Sequence, residues 1–409
     1  MSIMEHIKNS QSIYKKDEEP FFSLVLPTKN RSFLVGYAIE SILTQSFKNF
    51  ELIIVDNDDT NATQNVVATF KDSRIRYYKT GNLSMPDNWE YGCKKIVGKY
   101  LLIIEDKMVL KPKSLQTIFE IIHIEKPDVI KWQHDFFDED TGVGSPRFFL
   151  KFKAHFVDSD ELIKIFLDCD IDFFATHSPI GIDSCISQKI VEKIYIGPLK
   201  RLCLPMSPDY TMAFQILNAV DKVFVIPDML ATMGGLKYSN GLSFVRKGAL
   251  AESFIKDLTM NEFDLYSNAP IKVRTIYNTL VHDYINVSNA VGGRLTKYQL
   301  NKLNYFLYIY TELYHAKNEN IDVERELNGW NETLSMQDDL FIKNIRTKIK
   351  RIKSYKYPRN NLERLVYLIN MVPKIGIFNV TIGVFNSILW KLSTKKKFCS
   401  ILEYTKKEY

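Results

Sequence analysis

The chain has 409 residues, of which 45% are hydrophobic, and a net charge of +6, which predicts a globular protein with a sizeable core and more than one domain. Its five cysteines form no C-x-x-C pair, and no Cys/His cluster has zinc spacing, which argues against a disulfide scaffold or a structural zinc site. Because no signal-peptide core and no charge-free apolar run of membrane-spanning length is present, we expect a cytoplasmic protein.

Alternating strands and helices follow a polar extension at residues 1–20. Short apolar runs predict the strands, and segments with apolar residues at helical spacing predict the helices between them. The predicted strands are Phe21–Leu26, Phe50–Val55, Ile75–Tyr78, Leu101–Ile104, Val129–Trp132 and Val223–Pro227. This alternation predicts an α/β domain over residues 21–245, with a doubly wound, mostly parallel sheet flanked by helices.

Polar side chains follow these strands at their carboxyl ends. The first strand should stop at Pro27 and is followed by Thr28, Asn30 and Arg31; Asp56 and Asn57 follow the second; Arg76 lies on the third; and Glu105, Asp106 and Lys107 follow the fourth. Open α/β sheets bind ligands at the carboxyl ends of their strands, so we expect a site there. For the stretch Asp56 to Asp59, a solvated turn that caps the next helix is the structural alternative.

The remainder of the chain is predicted to be helical. We assign residues 246–330 to a helical accessory region and residues 331–409 to a basic and apolar helical region. From residue 343 onwards, sixteen Lys or Arg stand against three Glu, and Leu362–Leu392 is strongly apolar. Such a pair of segments is typical of a helix in an anionic membrane interface. An oligomerisation or core-packing helix pair is the alternative.

Several ordered motifs resemble the opening of family 2 nucleotide-sugar glycosyltransferases, which have the GT-A fold. They are residues 23–31 (SLVLPTKNR), 38–47 (AIESILTQSF) and 50–56 (FELIIVD), followed by Asn88-Trp89, residues 98–100 and the fourth strand. The resemblance implies an inverting transferase that uses a nucleoside-diphosphate sugar, with a UDP-sugar expected, and a glycan or lipid-linked acceptor. It implies surface polysaccharide or glycoconjugate synthesis. The basic C-terminal region indicates a polyanionic partner such as an anionic membrane surface, which would place the chain peripherally on the inner face of the cell membrane. We expect no nucleic acid as partner.

By the same resemblance, the residues at the ends of the first strands surround the base and ribose of the donor, and Asn88 lies near the diphosphate. The start of the helix at Asp209 corresponds to the position of the general base; a helix cap is the alternative function of this residue. His177 is a candidate for the acceptor pocket, although a single histidine is more often structural.

The predicted centre departs from the family pattern at Lys107. Family members carry an acidic metal ligand there, and an ammonium group repels a divalent cation. We therefore expect no tightly bound cofactor and disfavour Mg²⁺ or Mn²⁺, for which Glu105 and Asp106 would be the remaining ligands. Lys107 is expected to replace the metal at the leaving diphosphate, with Asn88 or Arg31 assisting.

Two other functional classes are compatible with this sequence. The substitution at Lys107 is consistent with a catalytically silent module that only binds a nucleotide sugar. A nucleotidyltransferase would share the sheet architecture, but the Gly-rich phosphate loop expected after the first strand is missing. We rank it last.

Overall fold

The computed structural model describes residues 19–145, 153–235, 238, 243–244, 247–258, 260, 262–354 and 399–407. Within these residues ten strands form one mixed sheet. They are β1 (Phe22–Thr28), β2 (Phe50–Asp56), β3 (Ile75–Lys79), β4 (Tyr100–Ile103), β5 (Met108–Leu110), β6 (Val129–Asp138), β7 (Val143–Ser145), β8 (His155–Asp158), β9 (Ser184–Ser187) and β10 (Lys222–Met233).

Helices cover the sheet and continue after it. They are α1 (Ser32–Leu43), α2 (Ala62–Val67), α3 (Met85–Cys93), α4 (Ser114–Glu125), α5 (Ser159–Leu167), α6 (Ile171–His177), α7 (Gln188–Ile196), α8 (Pro208–Ala219), α9 (Ala249–Asp257), α10 (Ile276–Val291), α11 (Lys302–Asn318), α12 (Glu324–Ser335), α13 (Asp339–Ser354) and α14 (Ile401–Lys407). The predicted α/β class with a helical C-terminal region is confirmed.

The first half of the sheet is parallel, in the order β3-β2-β1-β4. The strands β1, β2 and β4 are buried on both faces, which is why their sequences are largely continuous apolar runs rather than alternating ones. In β4, Leu101 and Ile103 pack into one core cluster, whereas Leu102 and the following Ile104 pack into the cluster on the opposite face. These four apolar residues therefore pack against the cores on both faces of the sheet.

The second half of the sheet is mixed, which the sequence prediction of a mostly parallel sheet did not anticipate. The short strand β9 lies antiparallel between β4 and β6, and β10 runs parallel to β6 but antiparallel to β5 and β8. These added strands carry the sheet beyond the parallel half, so that β6 and β10 also contribute side chains to the cavity described below.

The end of β1 differs from the prediction that Pro27 stops the strand. Pro27 and Thr28 continue the pairing with β2, opposite Val55 and Asp56. A proline is tolerated here because the pairing of β1 with β4 already ends at Val25, so no ladder hydrogen bond is lost on that side.

The helices beyond the sheet share its core, and they are not packed as a separate layer. Tyr277 of α10 donates its hydroxyl to the carbonyl of Phe166 in α5 at 2.6 Å. Trp330 of α12 donates its indole N–H to the carbonyl of Phe306 at 3.0 Å, which joins α12 to α11. Among the described residues, no helix is both long and apolar enough to cross a membrane.

The helix α14 returns to the sheet beside β5 and β6. Ile401 and Tyr404 form a small apolar cluster with Val109 and Phe137, and the Tyr404 hydroxyl lies 3.4 Å from a carboxylate oxygen of Asp135. Most of the predicted membrane-interface segment, including Leu362–Leu392, lies outside the described residues.

Candidate active site

A cavity of about 540 Å³ opens at the carboxyl ends of β1, β2 and β4. Of the thirteen site residues predicted from the sequence, ten line it. These are Pro27, Thr28, Asn30, Arg31, Asn57, Asn88, Glu105, Asp106, Lys107 and Asp209. The start of α8 forms a second wall, and apolar side chains of α9 and α10 form a third. The parallel arrangement of the strands therefore brings the predicted polar tips to one place.

Asp106 is held in this cavity by two donors. Its carboxylate accepts a hydrogen bond from the Thr28 hydroxyl at 2.9 Å and an ion-paired one from Arg31 at 3.2 Å. Burial raises the pKa of Asp106, and the positive charge of Arg31 opposes this rise. Arg31 also donates to the carbonyl of Tyr238 at 2.8 Å, so its guanidinium is held in place at the carboxyl ends of β1 and β4.

Asn57 and Asn88 shape the wall next to β2. The Asn88 amide donates to the carbonyl of Val55 at 2.9 Å and to Asn57 Oδ1 at 3.0 Å, and it accepts from Thr80 at 2.6 Å. The amide of Asn57 in turn donates to the carbonyl of Leu83 at 2.7 Å. Because the Asn88 amide is already used in these bonds, it serves to hold Asn57 rather than to offer a donor to a diphosphate.

The tip of β1 is joined to the tip of β2 through Asn30. Its amide donates to Asp59 at 2.9 Å, its side-chain oxygen accepts from the Asp59 N–H at 3.2 Å, and its backbone N–H donates to Asp58. Asn30 has a φ of 55°, in the left-handed region that asparagine tolerates better than most residues. The turn 58–59 thus fixes the entrance of the cavity.

Lys107 and Glu105 lie side by side on the turn between β4 and β5. The Lys107 ammonium is 3.3 Å from a Glu105 carboxylate oxygen, and the Lys107 side chain is 11% exposed. The Lys107 carbonyl accepts from the Gly234 N–H at 2.8 Å. At Gly235, which has a φ of 58°, an added Cβ would lie 3.2 Å from Lys107 Cβ. The backbone of Gly234 and Gly235 therefore fits closely against this lysine.

Asp209 is in the first turn of α8 and shares its electrostatic environment with this pair. Burial, followed by the negative charge of Glu105, raises the pKa of Asp209 to about 6, whereas nearby backbone N–H groups and Lys107 lower it. The helix start is anchored from α10, because the carboxylate of Asp283 accepts from the Ser207 N–H at 3.1 Å. An aspartate with this pKa is mostly ionised at neutral pH, and its pKa is close enough to neutral pH for the carboxylate to act as a proton acceptor.

Three predicted residues do not line the cavity. Asp56 is buried behind it, where it accepts from the Tyr77 hydroxyl at 2.6 Å and the Asp58 N–H at 2.8 Å. Arg76 pairs with Glu51 at the opposite end of the strands. His177 stacks on Phe173 with ring centroids 3.8 Å apart, and burial lowers its pKa to about 4.

Two of the acidic residues in the cavity are already engaged by cations or hydrogen-bond donors. Both carboxylate oxygens of Asp106 accept from Thr28 or Arg31, and Glu105 is paired with Lys107. Across the described ranges, no group of three or more His, Cys, Asp or Glu residues is placed to hold a metal. Mg²⁺ is commonly held by one or two carboxylates together with water and substrate phosphates, and an adjacent cation such as Lys107 repels it.

His134 is among the polar residues of the cavity that the sequence analysis did not identify as site residues. His134 lies on β6, and its Nδ1 is 2.7 Å from a carboxylate oxygen of the buried Asp183. The predicted strand stopped at Trp132, whereas β6 continues to Asp138. The alternation of His134 and Phe136 in the printed sequence could have revealed that both side chains lie on one face of a longer strand.

The family match covers the strands whose ends form this cavity. The model of Glycosyl transferase family 2 matches residues 23–178. These residues belong to glycosyl transferase family 2, and the family predicted from the motif set is confirmed. The match includes all the cavity residues of β1, β2 and β4, whereas Asp209 lies beyond it.

Two curated relatives match part of this chain, and one solved structure aligns with most of it. A GalNAc(5)-diNAcBac-PP-undecaprenol beta-1,3-glucosyltransferase of Campylobacter jejuni is 30% identical over 105 residues, covering 25% of this chain and 34% of the relative. Glycosyltransferase GlyG of Streptococcus pneumoniae is 25% identical over 125 residues, covering 29% and 41%. The chain thus spans less than half the length of these relatives. The structure of S. aureus TarS 1-349 in complex with UDP-GlcNAc aligns with 90% of this chain and 92% of that one, at 14% identity and a TM-score of 0.48.

Proposed function

We propose that this chain is an inverting glycosyltransferase that moves a sugar from a nucleoside-diphosphate donor to an acceptor hydroxyl. The observation that supports this most strongly is the placement of Asp209 beside Glu105 and Lys107 in the cavity that the strand ends of the family 2 domain form. One carboxylate able to accept a proton and one cation able to stabilise a leaving diphosphate are the minimum that this reaction requires.

In the proposed step the acceptor hydroxyl oxygen attacks the anomeric carbon of the donor sugar from the face opposite the diphosphate. A new carbon–oxygen bond forms, and the bond between the anomeric carbon and the diphosphate oxygen breaks, so that its electron pair leaves with the nucleoside diphosphate. Asp209 accepts the proton of the hydroxyl. The attack from the opposite face inverts the configuration at the anomeric carbon.

The donor is proposed to lie over β1 and β2. Thr28 and Asn57 line that end of the cavity, and Arg31 and Lys107 also line it. Two fixed cations there would stabilise the negative charge that develops on the diphosphate without a metal ion. A UDP-sugar is the donor that we expect from the sequence.

Arg76 is not part of this proposed donor site, and this leads to a prediction. Replacing Arg76 by alanine leaves the buried Glu51 without its cation, so we expect the free energy of unfolding to fall by about 1–3 kcal/mol and the affinity for UDP to stay unchanged. Arg31→Ala, by contrast, should weaken UDP binding. Urea unfolding and isothermal titration with UDP measure the two quantities. A loss of UDP affinity in Arg76→Ala at unchanged stability would contradict this assignment.

The acceptor is proposed to be a glycan or a lipid-linked glycan. The name of the Campylobacter jejuni relative includes an undecaprenol-linked saccharide as substrate, which supports a role in surface polysaccharide or glycoconjugate synthesis for this chain as well. Association with an anionic membrane through the basic and apolar region 331–409 remains part of the proposal. The sixteen Lys or Arg residues from position 343 onwards support it.

The pH dependence of the reaction tests this function. As a general base, Asp209 must be deprotonated, so kcat/KM should be low near pH 5, rise through half of its maximum near pH 6 and level off above pH 7. The release of UDP from a panel of UDP-sugars between pH 4.5 and 8 measures this. If the general base were an aspartate with an ordinary pKa, kcat/KM would rise through half of its maximum near pH 4 instead. No UDP release from any donor, despite UDP binding, would favour the alternative of a catalytically silent nucleotide-sugar binding module.

A further inference from the structure

His134 is fixed from behind by a buried carboxylate. Its Nδ1 lies 2.7 Å from Asp183 Oδ2, and the same oxygen lies 3.4 Å from the Lys131 ammonium. The Asp183 side chain is 1% exposed and that of His134 12%. A histidine that donates Nδ1–H to a buried carboxylate has a defined ring orientation and tautomer, so its second nitrogen, Nε2, is a hydrogen-bond acceptor in the neutral ring.

This second nitrogen has no partner in the part of the chain that the structure describes. His134 itself lines the cavity, together with Phe136 two residues further along the same face of β6. The two rings pack edge to face with centroids 5.0 Å apart. An aromatic ring beside a hydrogen-bond acceptor is suited to a sugar ring, which presents an apolar C–H face and hydroxyl groups at its edge.

The position of His134 relative to Asp209 follows from the turn Gly181–Asp183. This turn packs against the first turn of α8, so closely that an added Cβ on Gly181 would lie 3.6 Å from the Asp209 Cα. Asp183, which holds His134, and Asp209 are therefore supported by the same contact. In the sheet, β6 lies on the other side of β4 from β1 and β2, which is the side away from the proposed nucleotide.

We propose that His134 binds a hydroxyl group of a saccharide acceptor through Nε2, next to the hydroxyl group that Asp209 deprotonates. This inference rests on the proposed glycosyltransferase function and specifies its acceptor side. His134 forms and breaks no covalent bond in the reaction. It orients the acceptor, and Asp183 is the positioning residue that keeps Nε2 directed into the cavity. The role that the sequence suggested for His177 is thus taken by a histidine on another element.

The test measures how the enzyme divides the donor sugar between water and a saccharide. The full chain is incubated with each of several UDP-sugars, with and without 100 mM methyl β-glycosides of glucose, galactose and N-acetylglucosamine, and free sugar and disaccharide are quantified. We expect His134→Ala to lower the ratio of transfer to hydrolysis by roughly 3- to 10-fold, the effect of one lost hydrogen bond. His134→Gln, whose amide oxygen can accept the same bond, should retain more of the ratio.

A ratio is the appropriate readout because it does not change when a variant merely contains less folded enzyme. His177→Ala is the matched control, since it removes a half-buried histidine outside the cavity, and its ratio should equal that of the unsubstituted chain. The proposal is overturned if His134→Ala leaves the ratio unchanged, or if the unsubstituted chain hydrolyses a donor but transfers to none of the glycosides. A chain that consumes no UDP-sugar at all would refute the proposed function instead.

Discussion

Replacing Asp209 by asparagine should lower the turnover of sugar transfer by roughly 10²–10⁴-fold. The amide retains the shape of the carboxylate and its position in the first turn of α8, but it does not accept a proton at neutral pH. Binding of UDP should change little, because the nucleotide is proposed to lie over β1 and β2. Steady-state kinetics with a saturating UDP-sugar, together with titration of UDP, measure the two effects.

The control for this variant must separate the loss of proton transfer from the loss of the helix stabilisation that an acidic residue in the first turn provides. Asp87→Asn makes the same change in the first turn of α3, where Asp87 pairs with Arg201 and does not line the cavity. Its turnover should remain within about threefold of the unsubstituted chain, in the range of a surface substitution. Near-normal turnover of Asp209→Asn would remove Asp209 from the mechanism. If the rise of kcat/KM near pH 6 disappears in Asp209→Asn, that loss would independently support Asp209 as the general base.

The second large effect is expected for Lys107→Ala. If this ammonium stabilises the leaving diphosphate, its removal should lower turnover by about 10²–10³-fold, as the loss of one preorganised donor to a developing oxyanion does. The unsubstituted chain should keep its activity in excess EDTA, because Lys107 is proposed to stabilise the leaving diphosphate in place of a metal ion. Lys107→Arg should recover part of the activity, since it restores the charge with a different geometry.

Lys113→Ala is the matched control for Lys107. It removes an equal charge from an exposed position six residues later, outside the cavity. Its turnover should equal that of the unsubstituted chain, both in EDTA and in Mn²⁺. If EDTA abolishes the activity of the unsubstituted chain and Mn²⁺ restores it, Lys107 is not the substitute for the metal. The ligands would then have to come from elsewhere, and Lys107→Ala would be expected to raise the affinity for Mn²⁺.

The parallel half of the fold could be predicted because its physical signal is local. A strand buried on both faces must be a continuous apolar run, and each of β1, β2 and β4 has one that ends in polar residues. Short strands such as β9, with the sequence Ser184–Ser187, have no such signal. This strand exists because β4 and β6 lie on either side and pair with it, which is tertiary information that no window of sequence contains.

The residues of the candidate site could be predicted where their position along a strand alone decides whether they reach the cavity. Residues at the end of a strand or just after it, such as Thr28 at the end of β1 and Asp106 after β4, reach the cavity. Arg76 does not, because the register pairs it with Ile53 in the middle of β2, and its side chain extends to Glu51. The same applies to the two histidines: only the extended length of β6 shows that His134, and not His177, reaches the cavity.

The helix α14 has a consequence for the synthesis of the protein. Residues 401–407 cover Val109 and Phe137 and reach the buried Asp135, which is paired with Lys111 at 2.9 Å. A ribosome delivers this helix almost 300 residues after β5, so the sheet beside Lys107 keeps an uncovered apolar edge during most of translation. A premature stop anywhere between residues 355 and 400 would leave that edge permanently exposed. Removing residues 355–398 therefore requires an internal excision that keeps α14, because a nonsense mutation would also remove the helix that covers this part of the sheet.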